Sequence, residues 1–204
     1  MPNLNSPSVR GADRRKMTRR RDAASSLDRL LDGAQSTFAE RGYHQANIHE
    51  ICARANVGIG TFYSHFDHKR DLLQRVFVER VLRAGVPTAD ELLDHARLIA
   101  RIERAADEPI VAGLLRAWYE AVLDEPDLER FQAEWRPSFL IDLAAAIGDA
   151  QKRSPSDGPR LDPAVVAWTM ATLSREMAIH DRRGQPDFDT AARLFEELMF
   201  GTLR

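Results

Sequence analysis

The chain has 204 residues, of which 44% are hydrophobic and 29% are charged, and its formal net charge at pH 7 is −2. This length suits one globular domain or two small ones. Because the chain has one cysteine, neither an internal disulfide nor a cysteine-ligated zinc site is expected. With no secretory signal and no apolar run near the roughly 18 residues of a membrane span, a cytoplasmic location is expected.

The charges are distributed unevenly along the chain. Residues 1–83 carry fifteen Lys or Arg and nine Asp or Glu, a balance of +6, whereas residues 84–204 carry fourteen and twenty-two, a balance of −8. A basic segment attracts nucleic acid and an acidic segment repels it. If the protein binds DNA, the N-terminal part is therefore the part expected to do so.

Residues 1–24 lack apolar periodicity and contain the basic run Arg14, Arg15, Lys16, Arg19, Arg20 and Arg21. They are predicted to form a disordered arm. Such an arm either contacts DNA phosphates or the minor groove, or is a solvated tail, and the residues alone do not decide between the two. A first helix is predicted from Ser26 to Arg41, ended by Gly42.

Residues 47–66 have the spacing of a helix-turn-helix. Asn47 is a suitable N-cap for a short helix whose apolar stripe recurs at three- and four-residue intervals, and Asn56 suits the left-handed conformation of a tight turn. Gly58 is an acceptable N-cap for the second helix, in which Phe62 and Phe66 face inward. The outward positions are Ile59, Gly60, Thr61, Tyr63, Ser64 and His65, and no acidic residue lies between Val57 and Phe66.

An acid-free face of short hydrogen-bonding side chains is typical of a surface that meets phosphates and base edges. The same spacing also fits a small helical hairpin whose second helix only packs against a core. The residues of this segment alone leave both interpretations open.

A wider set of residues resembles the N-terminal domain of the TetR family of transcriptional regulators. The matching segments are Leu30-Leu31-Asp32-Gly33-Ala34, Phe38-Ala39-Glu40-Arg41-Gly42-Tyr43, Ile48-His49-Glu50-Ile51, Ala55-Asn56-Val57, Gly60-Thr61-Phe62-Tyr63-Ser64-His65-Phe66, Lys69 and Leu72-Leu73. The family usually has Gly at position 56, Ser at position 58 and Ala at position 52, where this chain has Asn56, Gly58 and Cys52. These replacements preserve the required backbone chemistry, although the Ser hydroxyl is lost.

The resemblance implies a helix-turn-helix DNA-binding domain at residues 25–83 and a helical effector-binding and dimerisation domain at residues 84–204. It implies DNA contacts by Asn47, His49, Ile59, Gly60, Thr61, Tyr63, Ser64, His65 and Lys69. Among these, Ile59 and Gly60 occupy the positions that would set sequence preference. The apolar side chain of Ile59 suits a thymine methyl group. Lys69, in the first turn of a helix capped by Asp67, would hold a phosphate.

The remainder of the chain is predicted to be helical, giving an all-α fold of about nine helices. Thr88 and Glu91 form a capping box, and helices are expected to begin at Pro109, at Pro126 and after Asp162. Pro137 predicts a kink or break within the helix that begins at Pro126. A loop is predicted at residues 154–159.

Aromatic residues on three of these helices indicate a ligand cavity. The candidate lining residues are Trp118, Trp135, Phe139 and Trp168, with His95, Arg175 and His180 as possible polar groups. Each aromatic taken singly is more typical of a core residue. The spacing of His, Cys and acidic residues indicates no metal site, no catalytic set stands out, and no cofactor is expected.

The last two helices are expected to form a homodimer interface, as the corresponding pair does in the TetR family. The candidate interface residues are Val166, Leu173, Met177, Leu194 and Leu198. A dimer would place two recognition helices roughly 34 to 36 Å apart on a palindromic operator. The expectation is a non-enzymatic repressor that a small apolar or amphipathic ligand releases from DNA; the alternative is a DNA-binding protein of this fold without a small-molecule effector.

Overall fold

A computed structural model of the chain describes residues 9–98, 100, 109–154, 160–179 and 188–201. These residues form nine α-helices, a helical stretch at 95–98 and a 3₁₀ turn at Leu82–Ala84, and they contain no strand. The α-helices are α1 Val9–Gln45, α2 Ile48–Arg54, α3 Ile59–Tyr63, α4 Lys69–Arg80, α5 Ala89–Leu93, α6 Pro109–Asp124, α7 Pro126–Arg153, α8 Pro163–Ile179 and α9 Phe188–Phe200. The predicted all-helical fold of about nine helices is confirmed.

Helix α1 begins at Val9, well before the predicted start at Ser26. The backbone of residues 9–24 is therefore helical and differs from the disordered arm that the sequence predicts; residues 1–8 lie outside the described part. This segment is rich in Arg, Lys and Ala, which are good helix formers, and extending an existing helix adds one hydrogen bond for each residue ordered. At the other end, Gly42 has a φ of 73°, which interrupts the helix where the sequence places its stop.

Helix boundaries in the C-terminal half follow local signals. Pro109, Pro126 and Pro163 are the first residues of α6, α7 and α8, as predicted. The capping box of Thr88 and Glu91 is present, and α5 ends at Leu93, where the backbone of Asp94 is extended. The predicted loop at 154–159 lies outside the described residues apart from residue 154.

Helix α7 runs without a break through Pro137. Proline removes one hydrogen bond of the helical ladder and leaves the carbonyl four residues earlier without its partner. Here that carbonyl belongs to Ala133, and both residues lie on the exposed face of α7, where water can solvate the freed oxygen. The expected break is therefore absent, because the lost bond falls on the solvent side.

The buried side chains form two hydrophobic clusters. The first joins α1, α2, α3 and α4 to α6 and the start of α7, and the second joins α5 and the later part of α7 to α8 and α9. Helix α6 thus packs into the N-terminal core although it follows the domain limit predicted at residue 83. A close approach makes this possible, because a Cβ atom at Gly113 would collide with the backbone of Ala39. The predicted domain limits themselves stay a prediction.

A buried glutamine connects the last helices to one another. The side-chain amide of Gln151 donates to the carbonyls of Leu161 at 3.0 Å and Met199 at 2.8 Å. It therefore joins the end of α7 to the start of α8 and to α9. Within the described part of the chain, none of the helices has the length and apolar character needed to traverse a bilayer.

Candidate DNA-binding surface and its connection to the C-terminal helices

The helix-turn-helix is built by the caps that the sequence predicts. The side chain of Asn47 accepts a hydrogen bond from the backbone N–H of Glu50 at 2.8 Å and caps α2. Asn56 has a φ of 50°, in the left-handed region, and Gly58 is the extended N-cap of α3. Phe62 is fully buried and lies 5.9 Å from Phe66, measured between ring centroids. Helix α3 is therefore anchored by its inner face at a fixed angle to α2.

The outer face of α3 is accessible. Tyr63 is 57% exposed and Ile59 is 38% exposed, and their side chains are among the most exposed large hydrophobic ones described. Gly60, Ser64 and His65 are also exposed, and Thr61 is half-buried. The Ser64 hydroxyl donates to the carbonyl of Thr61 at 2.7 Å. With its hydrogen engaged, this hydroxyl can still accept a hydrogen bond from a donor on another molecule. At the adjacent start of α2, Asn47 and His49 are exposed.

Lys69 occupies a different environment from the one expected. Its ammonium group donates to the carbonyls of Tyr43 at 2.6 Å and Ala46 at 3.0 Å, and it lies 4.2 Å from the centre of the Tyr43 ring. Burial lowers the pKa of Lys69, and Glu125 acts in the opposite direction. These contacts fix the start of α4 to the end of α1, and one of the three ammonium hydrogens remains for another acceptor.

The cap of α4 also differs from the sequence prediction. The N-cap is His68 and not Asp67, and the Asp71 carboxylate accepts from the His68 backbone N–H at 2.8 Å. Asp67 is exposed beyond the end of α3. A carboxylate three residues beyond the N-cap therefore performs the capping that the sequence assigns to Asp67.

The excess positive charge lies mainly in the first part of α1. Residues 9–23 carry seven Lys or Arg and two Asp or Glu, whereas residues 24–83 carry eight and seven, so the helix-turn-helix and α4 are almost neutral. Several of these eight cations are paired within the chain: Arg54 contacts Glu40 at 2.6 Å and Glu50 at 3.2 Å, and Arg80 contacts Asp32 at 2.5 Å. The basic character predicted for the N-terminal part is therefore concentrated at 9–23.

A polar junction connects the N-terminal helices α1 and α4 to α6 and α7. The Tyr43 hydroxyl donates to Glu125 at 2.5 Å, and the Tyr43 backbone N–H donates to Glu120 at 2.8 Å. Arg70, in the first turn of α4, contacts Glu125 at 3.5 Å and Asp127 at 3.1 Å. Burial, together with the bond to Glu125, raises the pKa of Tyr43. We call these five residues, Tyr43, Arg70, Glu120, Glu125 and Asp127, the junction.

Sequence reasoning missed the junction as a functional feature. Tyr43 and Glu125 are 82 positions apart, and no local pattern relates them. Asp124 and Glu125 precede Pro126 at the boundary between α6 and α7, and this local pattern indicates a helix end but no distant partner. The available signal was the group of carboxylates Asp124, Glu125 and Asp127 close together at a helix end.

The four aromatic residues predicted to line a cavity lie in different environments. Trp118 is fully buried, stacks on Phe77 with a centroid distance of 4.0 Å and donates its indole N–H to Gln132 at 2.9 Å. Trp135 and Phe139 lie edge to face at 5.8 Å. Trp168 is 56% exposed and belongs to neither hydrophobic cluster. Of the polar candidates, His95 contacts Glu196 at 2.8 Å and His180 lies outside the described residues.

The residues predicted at the dimer interface are also divided. Val166 is fully buried within the protomer, so it is unavailable to a second copy, because α8 is turned with this residue toward α7 and α9. Leu173 and Leu198 are half-buried, Leu194 is 39% exposed, and the side chain of Met177 lies outside the described part. Among the described side chains of α8, the large apolar ones that are exposed are instead Val165 and Trp168.

Comparison with known proteins identifies the family. The family model for bacterial regulatory proteins of the tetR family matches residues 30–76. A helix-turn-helix transcriptional regulator of Mycobacterium bovis, Mb3439c, is 35% identical over 158 residues, which cover 73% of this chain and 78% of that protein. The chain belongs to the TetR family. The expectation drawn from the sequence motifs is thereby confirmed.

Other TetR relatives match over less of their length. A fatty acid metabolism regulator of Bacillus subtilis is 38% identical over 52 residues, 26% of this chain and 27% of that protein. For this and several other curated relatives, the match spans 27 to 34% of the relative's length. The crystal structure of FadR from Bacillus subtilis in complex with stearoyl-CoA has a TM-score of 0.62 at 19% identity and covers 86% of this chain and 98% of that chain. At that identity the likeness concerns the fold.

Proposed function

We propose that this TetR-family protein is a transcriptional repressor that binds a palindromic operator as a homodimer. The observation that supports it best is the outer face of α3, which is exposed and carries hydrogen-bonding groups without a carboxylate between Val57 and Phe66. Thr61, Tyr63 and His65 would contact bases or phosphates, with Asn47, His49, Gly60 and Ser64 beside them, and Ile59 would meet a thymine methyl group. A cytoplasmic location and a non-enzymatic role accompany this proposal.

The proposal assigns Lys69 a double role. Two of its ammonium hydrogens are engaged by the carbonyls of Tyr43 and Ala46, and the third would bind a phosphate next to α3. The lysine would then connect the DNA directly to the end of α1. This arrangement refines the simple phosphate contact predicted from the sequence.

A small-molecule effector would regulate DNA binding through the junction. A ligand that binds one arrangement of α6 and α7 more tightly than the other changes the protein's affinity for DNA. DNA then changes the protein's affinity for the ligand by the same factor. The junction would transmit this preference, because Glu125 and Asp127 at the start of α7 contact Tyr43 and Arg70 in the DNA-binding half. The FadR structure with stearoyl-CoA shows that a protein of this fold accommodates a small molecule.

The test is binding of the purified full chain to DNA flanking its own gene, measured by fluorescence anisotropy with random DNA as competitor. Competitor-resistant binding to a palindrome is expected. Tyr63→Ala should weaken binding to all sequences, whereas Ile59→Ala should change the preference at one base pair by about 1 kcal/mol, or roughly fivefold. Leu123→Ala, at a residue 85% exposed on α6, is the matched control.

Binding no tighter than to random DNA, for both the flanking DNA and a library of genomic fragments, would contradict the operator proposal. If operator binding is specific but no metabolite raises the melting temperature or releases the DNA, the alternative of a DNA-binding protein without a small-molecule effector is favoured.

A further inference from the structure

One turn of α7 crosses from one hydrophobic cluster to the other. Trp135 packs against the first cluster and Phe139 against the second, and their rings lie 5.8 Å apart. The ring centroids of Trp135 and of Phe77, which belongs to α4, are 5.9 Å apart. We call the region around Trp135 and Phe139, between the two clusters, the seam.

Two buried polar groups close to the seam have no hydrogen-bond partner among the described residues. They are the indole N–H of Trp135 and the hydroxyl of Thr172. A comparable indole and a comparable threonine are satisfied, since Trp118 donates to Gln132 at 2.9 Å and Thr169 donates to the carbonyl of Val165 at 2.9 Å. Away from the seam, the Nε of Arg70 is also buried without a partner among the described residues. Leaving a buried donor unpaired costs about 1 to 3 kcal/mol, so native proteins rarely do so without a reason.

The helical register brings Thr172 to the level of the seam. The bond from Gln151 to Leu161 joins the end of α7 to the start of α8, and the two helices pack antiparallel. Gly148 of α7 lies beside Pro163, the first residue of α8. Nine residues back along α7 from Gly148 reach Phe139, and nine residues along α8 from Pro163 reach Thr172, each a distance of about 14 Å. Thr172 and Arg175 therefore lie alongside the turn that carries Trp135 and Phe139.

Two arginines from different helices lie at the level of the seam: Arg175 approaches Tyr119, and Arg136 directly follows Trp135 on α7. The Arg175 guanidinium lies 5.2 Å from the centre of the Tyr119 ring. Burial raises the pKa of the Tyr119 hydroxyl, and the charges of Arg175 and Arg136 both act in the opposite direction. Arg175 contacts Glu176 at 3.5 Å, and no described carboxylate lies within ion-pair distance of Arg136.

We infer that the seam is the effector site and that its ligand is an organic carboxylate with an apolar body. The guanidinium groups of Arg136 and Arg175 bind the carboxylate, and the Trp135 N–H and the Thr172 hydroxyl donate to oxygen atoms of the ligand. The apolar body lies against Phe139 and the Trp135 ring. This inference rests on the proposed function, because it names the class of ligand that the regulator senses.

The experiment compares ligands that share a tail and differ in head group. The full-length protein is titrated with decanoate, octanoate and phenylacetate, and with decanol and decylamine as neutral and cationic matches for decanoate. Binding is measured by tryptophan fluorescence and by the rise in melting temperature. Saturable binding of at least one carboxylate is expected, and the preferred carboxylate should bind at least about tenfold more tightly than the neutral and cationic matches, because two charge-assisted hydrogen-bonding groups recognise it.

Three variants test the assignment of residues. Arg136→Gln and Arg175→Gln should each weaken carboxylate binding about tenfold without changing the binding of decanol, and Trp135→Phe should weaken it several-fold because it keeps the ring and removes only the N–H. Lys152→Gln, at an exposed lysine that contacts Asp149 near the end of α7, is the control and should bind like the wild type.

Equal affinity for decanoate, decanol and decylamine would overturn the inference, as would the absence of saturable binding by every carboxylate tested. Unchanged carboxylate affinity in both arginine variants would also overturn it. The operator assay on the same protein sample separates the two proposals: specific DNA binding without carboxylate binding contradicts only the seam assignment, and carboxylate binding without specific DNA binding contradicts only the regulator proposal.

Discussion

Lys69 shows how one side chain serves both the fold and the proposed DNA contact. Lys69→Met keeps the apolar stem but leaves the carbonyls of Tyr43 and Ala46 without their donor. Because these oxygens are partly buried, we expect the free energy of unfolding to fall by about 1 to 3 kcal/mol. Urea unfolding followed by circular dichroism measures this decrease.

The proposed phosphate contact makes a second prediction for the same variant. Under conditions where Lys69→Met remains folded, its affinity should fall for specific and random DNA alike, because a phosphate contact carries no sequence information. Lys152→Met, at an exposed lysine, is the control for both measurements. Unchanged stability would show that the two carbonyl bonds contribute nothing, and unchanged DNA affinity would remove Lys69 from the proposed surface.

At the scale of elements, the first part of α1 carries most of the excess positive charge of the N-terminal half. Residues 9–23 contain seven Lys or Arg and only two Asp or Glu, whereas residues 24–83 are almost neutral. Replacing Arg14, Arg15, Arg19 and Arg20 by Gln should reduce the slope of log affinity against log salt by about 0.9 for each phosphate that the protein no longer neutralises. Anisotropy titrations between low and physiological salt measure this slope.

Gln preserves helix propensity, so this variant separates charge from helix length. A deletion of residues 1–23 should reduce the slope at least as much as the Gln variant does. An unchanged slope in both would favour the solvated tail over the DNA-contacting arm, the alternative that the sequence left open.

The helices differ in how far their limits and path are determined by nearby residues in the sequence. The start of α2, the turn after it and the start of α3 were predictable because Asn47, Asn56 and Gly58 act within a few residues of themselves, whereas α3 ends at Tyr63, before Phe66, which the sequence places in the same helix. The uninterrupted path of α7 through Pro137 depends on which face of the helix is solvated, and that is set by its packing. Local chemistry therefore determined the helix ends more than it determined the orientation of each helix.

The candidate sites follow the same division. The exposed positions of α3 could be predicted because Phe62 and Phe66 fix its inner face. The sequence assigns Trp168 to a cavity and Val166 to the dimer interface, whereas Trp168 is exposed and Val166 is buried in the protomer. A rotation of α8 by part of a turn exchanges such environments, and the weak apolar asymmetry of this helix does not determine that rotation from sequence alone.

For the whole molecule, the junction is a polar connection between the N-terminal helices and the start of α7. Tyr43→Phe removes the bond to Glu125 while keeping the ring, and Glu125→Gln removes the charge that Arg70 contacts. If the bond acts as a unit, the double variant should lose less stability than the two single losses added together, with an interaction energy of about 1 kcal/mol in urea unfolding. Strictly additive losses would show that Tyr43 and Glu125 are not energetically coupled.

The proposed dimer depends on apolar side chains that the protomer leaves uncovered. Leu161 and Val165, Trp168 on α8 and Leu194 on α9 are all exposed, and α8 and α9 contribute to the same buried cluster. Val165 and Trp168 lie three residues apart on α8, and exposed apolar residues so close together are typical of a surface that a partner covers. A second copy is the partner that the proposed operator requires, because a palindrome presents two identical half-sites.

Trp168→Glu tests this arrangement, because a carboxylate at the centre of an apolar interface loses hydration without gaining a partner. We expect the variant to be monomeric in sedimentation experiments at micromolar concentration, with the helical content of the wild type. Its operator affinity should fall by at least about tenfold, because each half-site is then bound without the second. Leu123→Glu, at an 85% exposed position of α6, is the control and should remain dimeric. A dimeric Trp168→Glu protein with normal operator affinity would place the interface on another surface.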